Sequence, residues 1–133
     1  MTVIRHRTLE FAHLPGRSAA DPLLHMAAAS SLRIVTLNGA SRRQAHRHPH
    51  SEELMLIVAG HGVVWIDGMA EPVGPGDVVH VPADAAHATV CQAGTAMEIA
   101  CFFPHPDLGA NLIETDQIVE APAATRPGED TAS

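Results

Sequence analysis

The chain has 133 residues, enough for one domain with a buried core and too few for two. Fifteen Asp and Glu against eight arginines give a formal charge of −7, which argues against a nucleic-acid footprint. Lysine and tyrosine are absent, excluding a Schiff-base nucleophile, a P-loop and phenolic acids, whereas histidine is in surplus with ten.

In chain order, residues 1–31 read as an arm or cover. Val3–Arg7 is a candidate short strand that would cover a sheet edge, its own or a partner's. Pro15, Gly16 and Pro22 break the pattern, and Leu23–Ala29 fits one or two helical turns. Composition leaves open whether Gly16-Arg17-Ser18 folds over the rest as a lid. Residues 32–104 are the body. Strands are expected over Leu32–Leu37, Glu53–Ala59, Val63–Asp67, Asp77–Val81, Ala86–Cys91 and Thr95–Phe103. Gly60-His61-Gly62, Asp67-Gly68, Gly74-Pro75-Gly76, Pro82–Asp84 and Gly94 separate them. Many short strands with Gly/Pro turns mean a sandwich or barrel. Residues 105–133 are expected to be irregular to residue 120, with Ala121–Ser133 a disordered tail. The start of the chain lacks the apolar core of a secretion signal, and no stretch approaches the roughly 18 apolar residues of a membrane span. Cys91 and Cys101 form no disulfide framework. The expectation is a cytoplasmic domain with neither membrane nor nucleic acid as partner.

The histidines are not evenly spread. In His46-Arg47-His48-Pro49-His50-Ser51-Glu52-Glu53, His46 and His48 are two apart, so on an extended chain both imidazoles leave one face and can serve one metal ion. A turn can return the carboxylate of Glu53 to the same ion. Further on, a glycine turn, a short strand and a proline turn bring His87 onto a new strand. The spacings His46-x-His48-x4-Glu53-x6-Gly60 and Gly76-x5-Pro82-x4-His87 resemble the two motifs of the cupin superfamily. The resemblance spans about residues 32–104 and implies an all-β fold, the cupin jelly-roll barrel. It also implies four metal ligands, His46, His48, Glu53 and His87, and a homodimer. Three positions depart from the pattern: Ala40 and Asp84 replace glycines, and Cys91 stands where asparagine is common. Asp84 is tolerable because aspartate visits the left-handed region more readily than most residues.

Glu52 competes with Glu53 for the ligand role, but only Glu53 also has the right distance to Gly60. Pro49 marks a strand end, so His50 reads as a rim residue. Arg42, Arg43 and Arg47 read as a solvated face, with steering of an anion as the functional alternative. Alternation from His87 points Thr89 and Cys91 inward, and alternation from Glu53 points Met55 and Ile57 inward. Met55, Thr89 and Cys91 are therefore the candidate substrate-pocket residues. Glu98 is read as facing solvent, with a buried acid near the metal as the alternative. His61, His80 and Trp65 stay ambiguous.

Three imidazoles and one carboxylate leave a divalent ion with a formal charge of about +1 and, in an octahedral shell, two open positions. Such a centre suits an anionic or oxygen-chelating small molecule, or a substrate atom plus dioxygen. Fe, Mn, Ni, Co and Zn all accept these ligands. The chemistry narrows to a metal-dependent oxygenase or a non-redox isomerase, lyase or decarboxylase. A small-molecule binding or sensor module without turnover is the alternative.

Overall fold

The computed structural model describes residues 1–122, which form eleven strands and one 3₁₀ turn. The strands are β1 (Ala12–Leu14), β2 (Arg17–Ala20), β3 (Ser31–Asn38), β4 (Arg42–Arg47), β5 (Glu53–Ala59) and β6 (Gly62–Ile66), then β7 (Met69–Val73), β8 (Val78–Val81), β9 (His87–Val90), β10 (Ala96–Phe103) and β11 (Ile113–Glu120). They build two antiparallel sheets, ordered β1-β2-β3-β10-β5-β8 and β11-β4-β9-β6-β7, which face each other as a jelly roll.

Period-2 alternation determines which side chains enter the space between the sheets. On β5, Glu53, Met55 and Ile57 are buried while Leu54, Leu56 and Val58 are exposed, so a run that is aliphatic on both faces still has one interior face. On β10 the interior residues are Met97, Ile99, Cys101 and Phe103. Register aligns Cys101 with both Arg33 of β3 and Met55 of β5, and Ile99 with Val35 and Ile57. Val35, Met55, Ile57, Met97, Ile99, Cys101 and Phe103, with Leu37, Val64 and Val81, form the main core, aliphatic and sulfur-containing apart from Phe103. A smaller cluster of Ala45, Ala88, Val90 and Val119 packs with Trp65.

The turns follow from their residues. Gly60 has φ +81°, and a Cβ there would collide with the Ala96 carbonyl, so only glycine lets β5 reverse this close to β10. Asp67 and Gly68 both have positive φ, as a two-residue hairpin turn joining β6 and β7 requires. Asp84, standing where the motif has glycine, takes φ +66° and donates its backbone N–H to the His48 carbonyl, tying the β8–β9 turn to the end of β4.

Both flanks differ from expectation. Val3–Arg7 is not a strand: His6–Thr8 make a 3₁₀ turn, and His6 reaches Glu98 on the outer face of β10 at 3.3 Å, so the segment lies against a sheet face and not along an edge. Leu23–Ala29 forms turns without a helix. Arg17–Ala20 is no lid, because it pairs with β3 as a wall strand. Residues 113–120, expected to be irregular, form β11 along β4. Their sequence, Ile-Glu-Thr-Asp-Gln-Ile-Val-Glu, has few apolar residues because most of the strand faces solvent, and pairing with β4 rather than burial holds it. Most of the tail expected to be disordered, residues 123–133, lies outside the described residues.

Candidate metal centre

His46 is the penultimate residue of β4 and His48 follows the strand's end; Glu53 opens β5 and His87 opens β9. His46 and His87 are direct cross-strand partners, which places their rings 4.4 Å apart. His48 lies 4.9 Å from His46 and 5.0 Å from His87 between ring centroids, with its other side against the edge of Phe103. One donor atom from each of His46, His48, Glu53 and His87 falls within 4.8 Å of all the others. Three of the four residues are fully buried, and His46 is half-buried at the opening.

The hydrogen bonds around this group orient it. His48 Nδ1 stands 2.7 Å from the Asn111 carbonyl and His87 Nδ1 stands 2.9 Å from the Ala85 carbonyl. A carbonyl only accepts, so both Nδ1 atoms carry the proton and both Nε2 lone pairs point into the site. There, Glu53 Oε1 is 2.7 Å from His87 Nε2 and 3.3 Å from His48 Nε2, and none of the three atoms has a hydrogen-bond partner. Buried lone pairs converging in this way repel one another unless they share a cation. One proton bridges one imidazole to the carboxylate; a divalent metal ion takes all four donors. The residues therefore fit a transition-metal ion of the nitrogen- and oxygen-accepting kind.

The same geometry sets the charges. Burial, and then the proximity of His87 and His48, push the pKa of His46 down to about 2, so its imidazole is neutral at working pH. Burial alone would raise the Glu53 carboxyl, but the adjoining His48 and His87 outweigh it and hold Glu53 below the usual carboxylate range. A neutral His46 and an ionised Glu53 are two of the protonation states that metal binding needs.

Above the four residues lies a cavity of about 60 Å³. Met55 and Thr89 line it, as alternation indicated, with the Thr89 hydroxyl 3.9 Å from the Met55 sulfur. Cys91 does not. It is inward-facing and buried, but it lies four residues beyond His87, about 13 Å down the barrel at the strand rise, among core residues near Gly60 and Gly62. Cys101 takes the place at the cavity because register sets it beside Met55. Burial raises its thiol pKa well above the ordinary value, as does the neighbouring Glu53.

The remaining sequence candidates lie elsewhere. His50 is exposed and stacks on His105, Glu52 points outward towards His80, and His61 packs over Gly74. Glu98 faces outward to His6. Of the basic run, Arg42 and Arg47 meet Glu120 and Asp84 on the surface, whereas Arg43 reaches the cavity. Sequence reasoning missed Asn111, which is fully buried. Its amide donates to Ser51 Oγ, its Oδ1 accepts from the His50 N–H, and its carbonyl holds His48. The only sequence signal was an asparagine between apolar residues in Gly-Ala-Asn-Leu-Ile. Arg17, Leu108, Leu112 and Glu114, which also line the cavity, were missed because β2 and the segment after β10 were read as outside the barrel; Arg33 lines it too, from the expected strand β3, and no motif singled it out.

A family model described as a cupin domain matches residues 33–103. Protein SchB of Streptomyces halstedii is 26% identical over 110 residues, covering 79% of this chain and 80% of that one. Among solved structures, oxalate decarboxylase from Lactobacillus farciminis superposes with a TM-score of 0.70 at 22% identity over 81% of this chain, which spans 34% of the decarboxylase. The polyketide cyclase RemF from Streptomyces resistomycificus gives 0.71 at 13% identity, covering 97% of this chain and 89% of that one. At these identities the two structures share the fold with this chain.

Proposed function

The chain belongs to the cupin family, and we propose that it is a mononuclear divalent-metal enzyme acting on a small oxygen-chelating carbonyl compound by non-redox chemistry. The observation that carries this reading is the convergence of three unpartnered buried donor atoms, on Glu53, His48 and His87, beside His46. A bound divalent ion supplies Lewis acidity towards a substrate oxygen. The chain's own residues do the rest. The Asn111 and Ala85 carbonyls hold two imidazoles in one tautomer, and Glu53 stays ionised to offset part of the charge. Met55, Val35, Cys101 and Phe103 keep the cavity poor in water, and its small volume admits only the chelating end of a substrate.

Non-redox chemistry is preferred because the decarboxylase and the cyclase named above carry out, by their names, loss of a carboxyl group and ring closure, neither of which requires a net oxidation. Dioxygenase chemistry is the competing outcome. A cytoplasmic site of action accords with two buried unpaired cysteines. Pairing of two copies completes the proposal; Leu54, Leu56, Val78 and Phe102 form an exposed apolar face on neighbouring strands β10, β5 and β8 that a second copy would cover.

Metal content by mass spectrometry on untagged protein, wild type beside His48→Ala, tests the centre. About one Fe, Mn, Ni, Co or Zn per chain, lost in the variant, is expected; no metal in either after reconstitution would overturn the reading. Turnover of 1,3-dicarbonyl and 2-keto acid compounds under strict anaerobiosis is expected. Conversion that stops without dioxygen would instead make the protein an oxygenase.

A further inference from the structure

Three arginines line the cavity above the candidate metal centre, and they are not equivalent. Arg33 is committed: its Nε and Nη2 donate to the two carboxylate oxygens of Asp21 at 2.8 and 3.0 Å. Arg43 donates one Nη1–H to the Thr89 carbonyl at 3.1 Å and has no carboxylate within ion-pair distance among the described residues. Arg17, on β2, makes neither a side-chain hydrogen bond nor an ion pair among the described residues. Both Arg17 and Arg43 line a second, outer groove of about 220 Å³ that shares His46 and Glu114 with the inner cavity. They therefore stand at the neck between the two spaces.

Arg17 and Arg43 line the same half-buried neck, and neither has a carboxylate within ion-pair distance among the described residues. The burial of Arg43 and the charge of Arg17 both work against its protonated form. Glu114 is the one acid at the neck, and it is exposed. Glu53, whose charge also favours protonated Arg43, is turned towards His48 and His87. The planar fork of an arginine with free N–H groups matches the oxygens of a carboxylate or phosphate.

We propose that Arg17 and Arg43 form an oxyanion subsite, so that the substrate carries a carboxylate or phosphate group bound at the neck while its chelating oxygens enter the inner cavity. The inference rests on the metal-enzyme reading for the chelating end only, because the two arginines act on the oxyanion whether or not a metal is bound. It makes β2, a strand outside the motif-bearing region, a determinant of specificity.

Calorimetric titration of chelator-stripped protein with malonate, inorganic phosphate and neutral malonamide tests the subsite. Malonate or phosphate is expected to bind and malonamide not to bind, and whichever anion binds more tightly identifies the group. Arg17→Gln and Arg43→Gln are each expected to weaken anion binding about tenfold to a hundredfold. Arg43→Lys keeps the charge without the fork and should fall in between. If Arg43→Gln does not fold, Arg17→Gln carries the test, since Arg17 has no side-chain bond to lose. Anion binding equal in wild type and both Gln variants, or no anion binding by wild type, would overturn the proposal. Repeating the titration with one equivalent of Co(II) separates the two readings. Arginine-dependent binding that Co(II) does not tighten would sink the metal reading and leave the subsite standing. Co(II)-tightened binding indifferent to both arginines would do the reverse.

Discussion

Asn111→Ala removes a side chain with no exposed surface and two hydrogen bonds of 2.8 Å, to Ser51 Oγ and from the His50 N–H. Ser51 is 7% exposed, so its hydroxyl gains little from water in compensation. Each lost bond to a buried partner costs about 1–2 kcal/mol, and the vacated volume adds a smaller amount, giving about 2–4 kcal/mol in all. For a domain of this length that corresponds to a fall in melting temperature of about 10 °C. A second consequence reaches the site. The Asn111 backbone carbonyl accepts from His48 Nδ1, and the side chain is what anchors that carbonyl against the His50–Ser51 turn. Loosening it should lower metal affinity about tenfold to a hundredfold. Scanning calorimetry and competitive metal titration measure the two effects, with Gln117→Ala on the exposed side of β11 as a control expected to change neither. Wild-type melting and wild-type metal affinity in Asn111→Ala would refute the argument that this segment orients His48.

The metal-free protein should lose stability as pH falls. His46 has a folded pKa of about 2 against an ordinary value of 6.5, so in that interval the unfolded chain binds a proton that the folded chain refuses. Glu53, held below its ordinary 4.5, adds to the loss at lower pH with the same sign. The slope should reach up to about 1.4 kcal/mol per pH unit below pH 6.5, and a melting temperature flat from about pH 7.5 to about pH 5 would contradict it. Gly60→Ala should cost at least about 2 kcal/mol, because its Cβ would meet Ala96 and Met97 at a positive φ; Gly68→Ala, with open space around it, should cost about 1 kcal/mol. Equal denaturant midpoints for the two variants would show that the close approach of β5 to β10 does not constrain the chain. Cys91→Ala should lower stability by about 1–2 kcal/mol yet leave metal stoichiometry unchanged, since Cys91 packs in the core below the cavity. Loss of metal in a folded Cys91→Ala protein would place that thiol nearer the site than its strand position allows.

The readings that held all rest on short-range rules. Alternation from Glu53 put Met55 and Ile57 inside, and the glycine-like behaviour of Asp84 follows from its own side chain. The spacings that resemble the cupin motifs singled out His46, His48, Glu53 and His87, and the structure brings these four side chains together at one end of the barrel. Failures began where depth or a distant partner decided the outcome. Alternation gives Cys91 the right face but says nothing of how far down the barrel it lies; only the register of β10 against β5 puts Cys101 there instead. Polar strands such as β11 carry no alternation strong enough to announce themselves, so pairing with β4 makes them strands.

By itself, then, the sequence determined the all-β class, most of the central strands, the principal turns and the four residues that meet at one end of the barrel. Tertiary structure decided that β2 and β11 are walls, that Asn111 holds His48, and that Arg17 and Arg43 share the cavity neck. Periodicity and turn chemistry are written into consecutive residues, whereas depth, register and charge proximity arise between residues far apart in the chain. They exist only once the two sheets have closed on each other.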